Sequence, residues 1–259
     1  MGLSPFESAY SLWHRKAGLA GPVQQTEPMV WGHRLEDDIL EEFSLRHPEL
    51  LLTGSGTYRG RERSWQIANP DELAVNEAGQ RFGVEIKNSR VADDWGRQHT
   101  DEIPVYYRAQ VIHYEDVLAI RKFYVPVLIG GSEYREYEVE YDPVDAQLLR
   151  DAGEAFMASL AAGQPPEPDG HEATYRTVRE LAVGTGPENA EISPALAAAY
   201  DEARAAFAAA EAAKRQASAR VLAAIGTARY AVCGTERIAM RTVKADGTTH
   251  SLQPAKGSS

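Results

Sequence analysis

The chain has 259 residues, a formal net charge of −11 and one cysteine, Cys233. That length suits one sizeable domain with an appendage, and a lone cysteine excludes a disulfide framework and any intrachain four-cysteine zinc or iron–sulfur site. No apolar run reaches the roughly 18–20 residues of a transmembrane helix and no basic segment leads into an apolar one at the start, so a globular, cytoplasmic protein without a membrane partner is expected.

Along the chain, Trp31, Leu35, Ile39 and Phe43 recur every four residues and predict an amphipathic helix, with Gly32 and Glu36 on the neighbouring stripe. Gly54 to Thr57 marks a turn, and Arg59, Arg61 and Arg63 follow it. Asn69-Pro70-Asp71 then opens a segment carrying a carboxylate. In Phe82 to Lys87 the period of two predicts a strand with Phe82, Val84 and Ile86 facing a core and Glu85 and Lys87 side by side on the other face. Asp71 arrives from its separate segment as a second carboxylate. Two carboxylates with water and phosphate oxygens suit octahedral Mg²⁺, and Lys87 adds a cation beside it. Such a set can acidify a bound water, orient it toward phosphorus and offset transition-state charge, which is the chemistry of phosphodiester hydrolysis. By itself Glu-x-Lys on a strand more often marks a solvated face.

Further along, Trp95 falls in a predicted loop where it could touch nucleic acid, with Arg90, Arg97 and Arg108 around it. Pro104 suits a helix start, and Val105, Ala109, Ile112 and Ile120 follow at helical intervals. Gln110 and Tyr114, four apart, share one face of that helix. His33, His47, His99 and His113 lack metal-ligand spacing and read as surface or core histidines. Trp13, Trp31 and Trp65 read as buried anchors.

The net negative charge is the main argument against a DNA substrate, because duplex binders gain affinity from Lys and Arg on phosphates. A local basic lining from Arg59, Arg61, Arg63, Arg97 and Arg108 would reconcile the two. Residues 163–170, rich in Pro and Gly, predict a linker. After it, Ser193-Pro194 caps a long alanine-rich helix ending at Ile225 before Gly226, with a sparse apolar face of Tyr200, Phe207, Val221, Leu222 and Ile225. That face suits pairing with the helix around Tyr175 to Leu181 or with another subunit. Residues 229–233 and 237–243 predict a hairpin, and Pro254 to Ser259 a frayed tail. The expected organisation is a domain over 1–162, a linker over 163–170, an extension over 171–250 and a flexible tail over 251–259.

Taken in order, Trp31 to Glu36, Ala68 to Asp71, Val84 to Lys87, Trp95, Ile103-Pro104, Tyr107, Gln110 to Tyr114 and Val127 to Gly131 resemble the YqaJ-type viral recombinase family. This family comprises phage exonucleases similar to that of bacteriophage lambda, within the PD-(D/E)xK nuclease superfamily. The resemblance spans roughly residues 2–165, and its specificity lies in the ordered series. It implies an α/β (α+β) fold, a restriction-endonuclease-like core of a mixed central sheet flanked by helices. It also implies Mg²⁺-dependent digestion of linear double-stranded DNA from 5′ ends, with Mn²⁺ as a possible substitute. The expected context is phage-type recombination beside a single-strand annealing recombinase, and the expected homo-oligomer is a ring-shaped trimer.

By resemblance, Asp71, Glu85 and the Ile86 carbonyl hold the metal, Lys87 activates the water and Glu36 is an auxiliary acid. Gln110 and Tyr114 match the element that arranges water or the scissile phosphate. Two departures stand out. Relatives precede Gly2 to Ser8 with a short polar, often basic helix that receives the DNA end, whereas this sequence starts at Met1, so 5′-phosphate recognition is not carried over. Glu72 replaces a frequent glycine, and its extra charge is expected only to tune the site. The alternatives are a nicking or structure-specific endonuclease of the same fold, and a DNA-end-binding or assembly protein with little activity.

Overall fold

A computed structural model describes residues 1–184 and 186–255. The chain divides into two compact units, Met1–Gly184 and Thr185–Ser259. The first contains, in order, α1 (Ala9–Lys16), α2 (Glu27–Arg46), β1 (Leu50–Leu52), β2 (Tyr58–Arg59), β3 (Ile67–Ala68), β4 (Glu72–Asn76), β5 (Arg81–Val84), β6 (Lys87–Ser89), α3 (Val105–Leu118), β7 (Lys122–Ile129), β8 (Glu133–Glu140), α4 (Pro143–Ala161) and α5 (Glu172–Leu181).

A six-stranded mixed sheet organises this unit, as the sequence led us to expect. β1, β4 and β5 are antiparallel neighbours, β5 and β6 both run parallel to β7, and β8 returns antiparallel to β7. Parallel strands need a crossover, and α3 supplies it between β6 and β7. Side chains alternating along β7 feed two cores. Phe123, Val125 and Val127 pack with Val111 and Ile112 of α3, whereas Tyr124 packs with Ile39 and Phe43 of α2 and with Phe82, Val84 and Ile86. The apolar set of the Glu85 strand thus faces α2. Gly83 lies on the other face, where a Cβ would sit 2.1 Å from the Phe123 ring, so only glycine lets the two strands approach.

Several expectations need correction. In α2 the stripe holds at Ile39 and Phe43, but Trp31, near the helix start, is 53% exposed. In α3 the buried line is Val111, Ile112, Glu115 and Leu118. Val105, in the first turn, is exposed, and the helix stops at Leu118 with Ala119 in the left-handed region, so Ile120 is buried from the following loop. The boundary also moves. α5 packs on α1, where buried Thr174 donates to Ser8 Oγ at 2.7 Å, and this places residues 171–184 in the first unit.

In the second unit, α6 (Pro194–Ile225) begins with Ser193 accepting from the Leu196 N–H and ends before Gly226. β9 (Tyr230–Cys233), β10 (Glu236–Val243) and β11 (Thr249–Pro254) form a three-stranded antiparallel sheet, one strand more than the expected hairpin. Asp246 accepts from the Thr248 N–H in the turn that returns β11 along β10, so residues up to Pro254 are paired and not frayed. Residues 256–259 of the expected tail lie outside the described residues. No helix among the described residues is long and apolar enough to cross a membrane.

Candidate active site

β5 and β6 follow β7 in a single register, Val84 opposite Tyr124 and Lys87 opposite Val127, with a break in the ladder at Glu85-Ile86. The Glu85 N–H still donates to the Tyr124 carbonyl at 3.0 Å. Ile86 breaks the pattern, because its N–H donates at 2.7 Å to Oδ2 of Asp71, at the head of β4. A carboxylate thus takes the place of a strand partner, which fixes Asp71 beside the bend. This contact joins two segments that the sequence shows only as separate motifs.

On the α3 side, Oε1 of Glu85 accepts from Lys87 Nζ at 2.6 Å and from Gln110 Nε2 at 2.8 Å. Gln110 returns its Oε1 to Lys87 at 3.3 Å and donates to the Tyr114 hydroxyl at 3.1 Å. The predicted helical face therefore meets the predicted strand face. Lys87 Nζ also lies 4.7 Å from the Tyr107 ring centroid, which adds a cation–π contact. Glu85 Oε2 is buried without a hydrogen-bond partner among the described residues.

Burial dominates the electrostatics. It pushes the Glu85 carboxyl up to about 7, against the nearby Lys87 cation and with help from the Asp71 charge. Asp71 is also raised by burial, opposed by Lys87 and by the Ile86 N–H. Two carboxyl groups that resist ionisation side by side, one with an unsatisfied oxygen, form a donor set that a divalent cation would complete. Among the described residues no three His, Cys, Asp or Glu side chains gather as a metal group.

Glu36 comes from α2 to line the same cleft as Asp37, Ser55, Gly56, Asn69, Asp71 and Ile86. His33 Nδ1 is 3.0 Å from Glu36 Oε1, and both charges act on Asp71, Glu36 raising its pKa and His33 lowering it. His33 thus belongs to the edge of the site, although its sequence context reads as surface. Its spacing three before Glu36 was the available signal. Ser55 and Tyr107 are site groups that the motifs do not mark by role: the first reaches the cleft by bonding the Pro70 carbonyl, the second through its ring under Lys87.

Other candidates fall elsewhere. Trp95 is buried, with its ring 5.9 Å from Tyr107 and 5.2 Å from Tyr137, so it offers no face to nucleic acid. Arg108 is held by Asp145 and by Asp101, the latter at 3.4 Å, and Arg63 by Glu154 at 3.0 Å. These two arginines tie elements of the fold together. Arg59, Arg61, Arg90 and Arg97 are exposed and make no salt bridge among the described residues. Glu72 is buried, its Oε1 accepting from the Leu73 N–H at 2.8 Å, and it is not among the cleft residues.

Fold and site together define a mixed-sheet α/β domain with a carboxylate–lysine centre at a strand break. Residues 1–117 match the family described as the YqaJ-like viral recombinase domain, which bears out, over that stretch, the resemblance seen in the motifs. The chain is 31% identical over 187 residues to "Uncharacterized protein YqaJ" of Bacillus subtilis (strain 168), a match covering 70% of this chain and 56% of that protein. It therefore spans little more than half of that relative's length. Among solved structures it is similar to the alkaline exonuclease LHK-Exo from Laribacter hongkongensis, at TM-score 0.46 and 16% identity over 67% of this chain and 84% of that one. The dAMP complex of LHK-Exo aligns at TM-score 0.46 with 18% identity, covering 67% and 85%.

Proposed function

We propose that this chain is a Mg²⁺-dependent deoxyribonuclease, a 5′-to-3′ exonuclease on linear double-stranded DNA that acts in phage-type homologous recombination. The observation that carries the reading is the orphaned Oε2 of buried Glu85, beside Asp71 at a strand break and bridged through Oε1 to Lys87. Asp71, Glu85 and the Ile86 carbonyl are the groups that would hold Mg²⁺, or Mn²⁺ in its place. A divalent ion there would supply Lewis-acid polarisation of a phosphoryl oxygen and would lower the pKa of a water so that it could attack after losing a proton. Lys87 sets a fixed cation where negative charge accumulates, and Gln110 holds both Lys87 and Glu85 in register. Tyr114 orients the Gln110 amide from one helical turn away. Glu36 and His33 border the approach to Asp71 and would position the incoming water or phosphate.

The proposed partners are double-stranded DNA ends and a single-strand annealing recombinase in the cytoplasm of a bacterial or phage-infected cell. The proposed assembly is a homo-oligomer, a trimer by the family resemblance. The recombination context is supported by the viral recombinase description of the matched domain.

The test incubates the protein with Mg²⁺ and end-labelled linear duplex, closed circular duplex or single strand, with Lys87→Ala as control. Mononucleotides released from the linear duplex, starting at the 5′ label, are expected. Nicked circles would instead indicate an endonuclease, and no Mg²⁺-dependent product on any substrate would leave an end-binding role. Because the ionised form of Glu85 binds a cation and its carboxyl titrates at about 7, cleavage should rise by about tenfold from pH 6 to pH 8.

A further inference from the structure

α6 runs for 32 residues, about 48 Å at 1.5 Å per residue, and none of its residues is buried. Its last turns, with Val221, Leu222 and Ile225 half-buried, meet β9 of the same unit. The seam that begins there continues N-terminally at heptad spacing through Lys214, Glu211, Phe207, Arg204, Tyr200 and Ala197. Along this stretch Phe207 is 67% and Tyr200 65% exposed. Two large aromatic rings on an otherwise alanine-rich helix form an apolar strip that nothing in the unit covers.

The charges in and beside the strip are arranged by sign. Arg204 and Glu211 occupy seam positions between and beside the aromatics, where a buried charge is tolerated only against an opposite one. Within the helix Arg204 makes a 3.6 Å contact with Asp201 and lies 5.7 Å from the Tyr200 ring centroid, and Glu211 makes no salt bridge among the described residues. Laying a second, antiparallel α6 on the first, with the two-fold axis beside Phe207, puts Arg204 opposite Glu211 and Asp201 opposite Arg215. Each pair then occurs twice, and in antiparallel packing these residues fall on matching flanks of the seam. The two Phe207 rings meet at the axis, and the second copy covers the length that the unit's own sheet leaves open. A parallel pair would instead set Arg204 against Arg204 and Glu211 against Glu211.

From this complementarity we infer that α6 is a self-association element, pairing antiparallel with α6 of a second copy of the chain through a two-fold, isologous contact. The contact is independent of the nuclease reading. Sedimentation equilibrium of the full chain tests it with two charge-reversed variants, Arg204→Glu with Arg215→Glu, and Asp201→Arg with Glu211→Arg. Each variant opposes like charges at all four pairs and should show half the wild-type mass, with helix content by circular dichroism unchanged. An equimolar mixture of the two variants restores every opposite-charge pair and should recover the wild-type mass. Phe207→Ala, which leaves all charges in place, should also halve the mass. A wild-type mass equal to that of the variants, or a mixture that stays at half mass, would overturn the inference; either result would mean that the strip is covered within one chain or by another partner.

Discussion

Glu115 is fully buried on α3, one residue beyond Tyr114, and both its carboxyl oxygens lack a hydrogen-bond partner among the described residues. Burial pushes its pKa up to about 8, with the Arg108 and Arg121 cations opposing and the Glu140 charge adding. Between the unfolded value near 4.5 and about 8 the folded state therefore holds a proton that the unfolded state has lost. The stability tied to this group is full at acid pH and is lost as pH rises through that window. Glu115→Gln, a neutral isostere, should match the wild type near pH 4.5 and exceed it by a few kcal/mol at pH 8, where the wild type must either keep a costly proton or bury a charge. Thermal melts of both proteins at the two pH values check this, and an unchanged difference between them would mean that Glu115 is already paired or solvated. Nothing in the sequence marks this glutamate, because its helical neighbours Tyr114 and Asp116 read as a polar flank. The site acids behave differently. Glu85, Lys87, Gln110 and Tyr114 were legible because strand and helix periodicities assign each to a face before any fold is known, whereas Asp71 was legible only as part of its Asn-Pro-Asp motif. Trp95 and Arg108 were misread because exposure and salt-bridge partners depend on distant residues such as Tyr137 and Asp145.

At the level of elements, the site depends on how closely β5 can lie against β7. Gly83 makes that approach possible: an added Cβ would stand 2.1 to 2.3 Å from three atoms of the Phe123 ring, which is itself fully buried. Neither strand can retreat without disturbing the Glu85-Ile86 break that follows. Gly83→Ala should therefore destabilise the first unit by roughly 2–3 kcal/mol, as overpacking of a tight core does. Adding Phe123→Leu should recover part of that loss, and chemical denaturation of the two single variants and the double variant measures the coupling. Strictly additive losses would show that the strands adjust independently. Alternation made the Glu85 strand readable in sequence, but its interruption was not, since that requires knowing that Asp71 takes the Ile86 N–H. The face of α3 was half legible for a related reason: the Val105, Ala109 and Ile112 spacing is genuine, yet the sheet lies under Val111 and Glu115, one residue around the helix.

For the whole molecule the difficulty is charge, because a chain of net charge −11 is proposed to work on a polyanion. Affinity for duplex DNA grows with the number of phosphates neutralised, not with the overall sum, so a few unpaired arginines can support binding. The structure divides the candidates sharply. Arg63 and Arg108 are committed to Glu154, Asp145 and Asp101, whereas exposed Arg59, Arg61 and Arg97 make no salt bridge among the described residues. Binding to a short blunt duplex, measured with Ca²⁺ so that cleavage does not interfere, should weaken with salt. Each of Arg59→Ala, Arg61→Ala and Arg97→Ala should lower the slope of log affinity against log salt by about 1. Arg63→Ala and Arg108→Ala should leave that slope unchanged and lower the melting temperature only slightly, because each breaks ion pairs at partly exposed carboxylates that link elements of the fold. Equal slopes across all five variants would locate the DNA path away from these arginines. A loss of slope at Arg108 would mean that its bridge to Asp145 opens when DNA binds.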